Sequence, residues 1–258
     1  MAFRLSSDAW LSAILGKDAY KLVMNSDVKG QTSMADHENM ARLRELENKE
    51  CFIYAKVASD SIDEVRWLES ERFFLVDTNI TLRKQVKDGG CGDRAPSPSF
   101  SVGMARPEDE DDVARLAGRS FVHSRFHADP LIPDDTAHTI KERWARNFVR
   151  KQRGDAMVVA KENRTVIGFN QLLKPDDSRL IIDLIAVDAE HQGRGVAREI
   201  MRFAEAFFPG ITEVVVGTQL ANVASLHLYR SAGFQLWASA YVYHRHGDAN
   251  KSHENRRL

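Results

Sequence analysis

The stretch Ile185-Ala186-Val187-Asp188-Ala189-Glu190-His191-Gln192-Gly193-Arg194-Gly195-Val196-Ala197 decides the reading of this chain. An apolar run ends in a glycine-rich loop, and an amphipathic segment, Val196 to Phe208, follows. A strand that runs through such a loop into a helix builds a cradle for a pyrophosphate. Glycine lets the backbone approach the ligand, and free N–H groups at the helix start point at its negative charge. Arg194 and Arg198 add charge at the mouth, as does His191 when protonated. No Gly-Lys-Ser/Thr follows, which excludes the P-loop, and the Gly-x-Gly-x-x-Gly spacing of dinucleotide sites is missing.

Strand and helix patterns alternate around this loop. Phe100 to Arg106 reads as a strand, and Pro107 opens a helix at the position where a missing N–H costs nothing. The acids from Glu108 to Asp112 suit that helix's positive end and read as a solvated helix start rather than a metal site. Ala137 to Lys151 is a second helix, and Ala156–Lys161, Thr165–Leu173 and Leu180–Val187 are strands separated by polar turns. Glu213 to Thr218 is a β-branched strand, a helix runs from near Asn222 to a Gly233 cap, and strands fill Phe234 to His244. The order β-α-α-β-β-β-α-β-α-β-β implies a mixed sheet covered by helices, an α/β (α+β) fold.

The loop Gln192-Gly193-Arg194-Gly195-Val196-Ala197 resembles the coenzyme A motif of the GNAT acetyltransferases, Gln/Arg-x-x-Gly-x-Gly/Ala. Leu228-Tyr229-Arg230-Ser231-Ala232-Gly233-Phe234 is similar to the family's C-terminal Leu-Tyr-x-x-x-Gly-Phe signature. The resemblance covers about Val102 to His246. It implies acetyl-CoA as cosubstrate, no metal, and direct attack of a neutral amine on the thioester without an acyl-enzyme. Gln192, Gly193, Arg194, Gly195, Val196 and Ala197 would clamp the pyrophosphate. Backbone N–H groups of Ile185, Ala186 and Val187 would meet the pantetheine arm or the thioester oxygen, and Asn222 would reach the pantetheine from its helix start. Tyr229, two turns beyond Asn222 on the same helix face, is the candidate acid for the departing thiolate; packing against the sheet is its bland alternative. Asp183 or a water relay would take the amine's proton. His227 reads as surface or structural.

In this fold the connection between the first two helices lines the acceptor pocket. Here it reads Phe121-Val122-His123-Ser124-Arg125-Phe126-His127-Ala128-Asp129-Pro130. Arg125 suits a phosphate, Phe126 a stacked base, and His127 and Asp129 hydroxyls or an amine. A loop pinned by its own hydrogen bonds is the alternative. Ser124-Arg125-Phe126, Trp144 to Arg150, Thr218-Gln219-x-x-Asn222 and Ala240 to Arg245 resemble family members that acetylate nucleotide-linked 4-amino-4,6-dideoxysugars for surface polysaccharide. That implies a small-molecule amine on a nucleotide-activated sugar as acceptor. Rival readings are an acetyltransferase for a protein N-terminus or other small amine, and a non-catalytic CoA-binding module.

Composition bounds the rest. Thirty-six Lys and Arg against 37 Asp and Glu leave a net charge of −1 over 258 residues, with no footprint for nucleic acid or an anionic membrane. Cys51 and Cys91 make neither a disulfide framework nor a zinc set. Charges at Arg4, Asp8, Lys17 and Asp18 break up the start of the chain, so neither a signal peptide nor a membrane span is expected there, and a cytoplasmic location follows. A homodimer is the one macromolecular assembly considered. Glycines and prolines at 86–98 mark a linker between an N-terminal α/β domain, 1–85, and the catalytic domain, 99–246; the polar residues 247–258 form a tail. Leu68-Glu69-Ser70-Glu71-Arg72-Phe73 before a strand echoes Tyr229 to Phe234, which suggests that the N-terminal domain is a degenerate half of the acetyltransferase fold without a CoA loop. The helix expected from Asp36 to Asn48 reads as solvated and amphipathic.

Overall fold

The computed structural model describes residues 1–24, 34–86 and 99–248. Most of the linker, including Cys91, and the tail beyond residue 248 lie outside the described residues. The elements, in chain order, are β1 (Phe3–Ser7), α1 (Ala9–Leu15), β2 (Asp18–Met24), α2 (Met34–Glu45), β3 (Cys51–Ala58), α3 (Ile62–Ser70) and β4 (Phe74–Gln85). Then follow β5 (Ser101–Met104), α4 (Glu110–Ser120), α5 (Asp134–Val149), β6 (Ala156–Glu162), β7 (Thr165–Leu173) and β8 (Arg179–Val187). The last are α6 (Val196–Phe207), β9 (Glu213–Gln219), α7 (Val223–Ser231) and β10 (Gln235–Gly247). Among the described residues no helix is long and apolar enough to cross a membrane.

The chain forms two compact units, which divide it differently from the boundaries read at 85 and 99. The first comprises Met1–Asn79, Ala128–Leu131 and Ser239–Leu258; the second comprises Ile80–His127 and Ile132–Ala238. In the first, strands follow the order β1-β2-β3-β10-β4, with β2 parallel to β3 and β3 antiparallel to β10. Phe3, Leu22, Leu43, Ile53 and Leu68 form its core. The opening β1-α1-β2 is absent from the sequence reading. The charges that obscured it have local work: Asp8 caps α1, accepting from the Leu11 N–H at 3.0 Å.

In the second unit the order is β4-β9-β8-β7-β6-β5, antiparallel from β5 to β8 and parallel between β8 and β9. Met157 to Ala160 on β6 are all buried because helices cover both faces. Val158 and Ala160 join Val196, Ile200, Met201 and Ala204 of α6, while Met157 and Val159 join Val113, Leu116 and Ala117 of α4 and Ala145 of α5. Burying one face of each helix at three- and four-residue spacing is what these amphipathic patterns require. Helix α5 starts at Asp134, after Pro133, rather than at Ala137, and β10 is one continuous strand of 13 residues rather than two strands. The acidic start of α4 is solvated at Glu108 and Asp111, as expected, and is also paired. Glu110 and Asp111 hold Arg146, Glu110 also holds Arg150, and buried Asp109 takes Lys161 at 2.5 Å.

One turn occurs in both units. After α3, the Phe73 N–H donates to the Leu68 carbonyl at 2.9 Å with Arg72 at φ 63°; after α7, the Phe234 N–H donates to the Tyr229 carbonyl at 3.0 Å with Gly233 at φ 89°. The six-to-one bond and left-handed residue are a Schellman cap in each case.

Candidate active site

The β8–β9 ladder pairs Arg179 to Ile182 with Glu213 to Val216 and stops there. Beyond it, Leu184 to Val187 still pair with β7 on one side but have no β9 partner on the other. The free edge runs through Ile185, Ala186 and Val187 into the loop. Gly193 at φ 76° and Gly195 at φ 80° hold left-handed turns that a side chain resists. Among the described residues, no acceptor takes the backbone N–H groups of Gly193, Arg194, Gly195, Val196, Ala197 or Arg198. These are the orphan donors of a helix start, aligned with the positive end of α6.

The charged side chains around the loop are engaged with each other. Arg194 meets Glu162 at 2.5 Å and Ser99 at 2.7 Å, and the arginine holds the Glu162 carboxyl below its usual range. His191 bridges Asp188 and Glu162 at 3.1 Å each, Arg119 bonds Asp188, and Arg198 reaches Ser231 at 3.2 Å. The Gln192 amide donates to the Val187 carbonyl at 3.2 Å, closing the loop onto β8. Asn222 caps α7, accepting from the Ser225 N–H at 3.1 Å.

Tyr229 is 3% exposed and packs edge-on against Phe234 with ring centroids 5.5 Å apart. Burial pushes its phenol well above the usual range, so the group is an O–H donor at every physiological pH. Asp183 occupies a bulge: β7 pairs Gln171 with Leu184 and then Leu172 with Ile182, passing over it. Bulges re-aim side chains, and this carboxylate accepts from Trp144 Nε1 on α5 at 2.8 Å. Burial pushes the Asp183 carboxyl up, opposed by the Trp144 bond and by the charges of Arg153 and Lys141.

The residues between α4 and α5 divide into two groups. Ser124 is buried, its Oγ 2.7 Å from His127 Nδ1, and His127 Nε2 lies 3.3 Å from His138 Nδ1. His138 Nδ1 is 2.6 Å from the Gly118 carbonyl, which can only accept, so that nitrogen carries hydrogen. His127 Nε2 is then an acceptor, and Nδ1–H donates to Ser124. Burial, then His138, holds His127 below its usual pKa, consistent with this neutral form. Asp129 is fully buried; one oxygen takes the Leu131 N–H at 2.9 Å, and the other takes His244 at 2.7 Å and His246 at 2.8 Å. Burial opposes ionisation there, yet these bonds win and hold Asp129 far below the usual carboxylate range. Asp129, His244 and His246 have the chemistry of metal ligands, within 4.8 Å of one another, but a cation, Lys17 Nζ, already lies 3.3 Å from His246 Nδ1. Phe126 is 2% exposed, with Arg125 over its ring at 4.4 Å. It is a core residue and not a stacking platform, a correction to the sequence reading.

Two residues escaped that reading. Lys141 on α5 is 8% exposed, its Nζ 5.1 Å from the Phe121 ring centroid and 5.4 Å from that of Trp144. Burial, then the charge of Arg125, brings it down to about 8, against the pull of Asp183. Gln171 on β7 is fully buried, and neither amide atom is bonded among the described residues. A signal was available, since Asn170-Gln171 interrupts an otherwise apolar strand.

The released strand edge, the glycine-turned helix start, the buried Tyr229 and the bulge carboxylate Asp183 all belong to the second unit. The chain belongs to the GNAT acetyltransferase family. The model of the Acetyltransferase (GNAT) family matches residues 119–234. The spore coat polysaccharide biosynthesis protein SpsD of Bacillus subtilis is 30% identical over 242 residues, 91% of this chain and 80% of that one. The dTDP-fucosamine acetyltransferase of Escherichia coli is 27% identical over 196 residues, 75% of this chain and 81% of that one. A tandem GNAT protein from the clavulanic acid biosynthesis pathway superposes with a TM-score of 0.62 at 12% identity, covering 89% of this chain and 75% of that one. A GCN5-related N-acetyltransferase from Sphaerobacter thermophilus gives 0.59 at 14%, covering 89% and 73%. The two structures share the fold. The chain is thus an enzyme, a GNAT acetyltransferase, of a family that uses acetyl-CoA as cosubstrate.

Proposed function

We propose that the protein acetylates the primary amine of a nucleotide-linked 4-amino-dideoxysugar, in the cytoplasm, by direct attack of the amine. One observation carries this reading: the charge of the acceptor loop. Phe121 to Pro133 contains one carboxylate, Asp129, and it is buried against His244 and His246, whereas Arg125 is half-buried. A peptide amine or other cationic acceptor favours an accessible acid, and a diphosphate favours a guanidinium. The names of the relatives in spore coat polysaccharide biosynthesis and fucosamine acetylation support the same acceptor class.

Acetyl-CoA supplies the acetyl group as a thioester. In this reading the N–H groups of the loop from Gln192 to Ala197 bind the pyrophosphate, and the free edge at Ile185, Ala186 and Val187 orients the pantetheine and thioester oxygen. The Asn222 side chain borders that groove. Tyr229 donates its O–H to the departing sulfur, and Asp183, directly or through water, accepts the amine's proton. Arg125 pairs with phosphate, Ser124 and His127 hold the loop's shape, and Asp129 anchors its far end. The first unit, with Leu68 where the second has Tyr229, serves as a degenerate half of the same fold without the acid. Melting temperatures with acetyl-CoA and a panel of nucleotide sugars and lysine peptides test the assignment, since ligands of the native state raise it. A rise with amino sugars supports it; a rise with peptides alone, or with acetyl-CoA but no turnover of any amine, rejects it.

A further inference from the structure

Side chains alternate along β7, so Phe169, Gln171 and Leu173 share one face, and Gly168, Asn170 and Leu172 the other. The Gly168 side faces α6, where an added Cβ would meet Val196 and Ile200. Phe169 and Leu173 instead pack with Phe121, Trp144 and Leu184 under α4 and α5. That second face therefore carries Gln171, with both amide atoms unbonded. It also carries Asp183, turned there by the bulge, and the Trp144 that holds it. Lys141 completes the group. Its ammonium lies beside the Phe121 and Trp144 rings and makes no hydrogen bond or salt bridge among the described residues.

A largely buried ammonium held only by ring faces and a buried amide with no hydrogen bond are costly to keep. Asn170 on the α6 face is unbonded as well, but only Gln171 shares its face with Lys141, Trp144 and Asp183. What they lack has a definite chemistry. Gln171 Nε2 needs an acceptor and Oε1 needs a donor, and Lys141 needs an acceptor. A phosphate would leave Oε1 unmet; a hydroxyl group serves both amide atoms. Aromatic faces beside such groups accommodate the apolar C–H face of a ring that carries hydroxyls. We propose that Lys141 and Gln171 form the sugar-ring subsite of the acceptor, bonding its hydroxyl groups while the ring lies against Trp144 and Phe121. This rests on the amino-sugar reading above and adds residues that determine its specificity. The lowered basicity of Lys141 fits a group kept there at the expense of stability.

The test uses wild type, Lys141→Met and Gln171→Leu, with melting temperature and steady-state kinetics for acetyl-CoA and a nucleotide-linked 4-amino-4,6-dideoxyhexose. Both variants should melt at or above wild type, because each replaces a buried polar group that makes no hydrogen bond by an apolar one of similar size. The acceptor KM should rise about tenfold or more, the loss of a hydrogen bond to a charged or buried group, with the acetyl-CoA KM unchanged. An acceptor lacking the ring hydroxyls should show the same loss with wild type and no further loss with Lys141→Met. A parental acceptor KM in both variants overturns the subsite while leaving the amino-sugar function standing. A lower melting temperature in either variant assigns that residue to the core and overturns its part. A wild type that acetylates peptides and no amino sugar brings down the function itself, and this inference with it.

Discussion

Trp144 Nε1 donates to Asp183 Oδ2 across 2.8 Å, tying helix α5 to the one residue that the β7–β8 register passes over. The bond stabilises the ionised carboxylate against the burial that raises its pKa. Trp144→Phe removes the donor, so the Asp183 pKa should rise further. If Asp183 is the base, the acid limb of the kcat/KM profile moves to higher pH in that variant. A limb that stays in place assigns the proton to water.

Tyr229→Phe keeps the ring against Phe234 and removes only the O–H. Turnover should fall by about a hundredfold while acetyl-CoA affinity by calorimetry is retained, since the proton is needed as the thiolate forms. Because burial raises the phenol pKa, no basic limb below about pH 10 should belong to Tyr229. Near wild-type turnover would return the residue to a packing role.

Gly195 stands at φ 80°, and an added Cβ would meet nothing within 4 Å. The Cβ of Gly195→Val therefore has no clash to relieve in the free protein, and the variant carries left-handed strain of about 1–2 kcal/mol. The variant should fold with a modestly lower melting temperature and lose acetyl-CoA binding, because the side chain occupies the approach to the loop N–H groups. Unchanged affinity in the folded variant would reject the cradle.

Much of this site could be read directly from the chain. The loop from Gln192 to Ala197 is legible because φ-permissive glycines, a preceding strand and the buried stripe Val196, Ile200, Met201, Ala204 are all local signals. The β1-α1-β2 start is not, since Asp8 and Lys17 interrupt its pattern for reasons that appear only in three dimensions: a helix cap and a histidine partner. The burial of Asp129 depends on His244 and His246, more than a hundred residues later in the chain. Lys141 reads as an ordinary helix lysine until Phe121 and Trp144 are placed beside it. The bulge at Asp183 is a property of register, which a single strand's sequence does not encode.

Asp129 also sets a pH dependence. Its folded pKa is depressed, so its contribution to stability is present above the unfolded carboxyl pKa of about 4 and is lost as the pH falls below it. Asp129→Asn should cost a few kcal/mol at neutral pH, the penalty for breaking a buried pair, and should flatten the fall of melting temperature between about pH 5 and 3. An acid transition identical to wild type would place the titrating group elsewhere.

The central claim, an anionic nucleotide-sugar acceptor met by Arg125, is tested most directly by kinetics of wild type and Arg125→Ala with a dTDP-linked 4-amino sugar and a lysine peptide. A guanidinium pairs with phosphate through parallel charge-assisted bonds worth about 1.5–3 kcal/mol, roughly tenfold to a hundredfold in affinity. The account predicts an acceptor KM raised by that factor in Arg125→Ala, an acetyl-CoA KM nearly unchanged, and negligible peptide turnover by either protein. Clear turnover of the peptide, improved by removing the positive charge, with none of any nucleotide sugar, would contradict it.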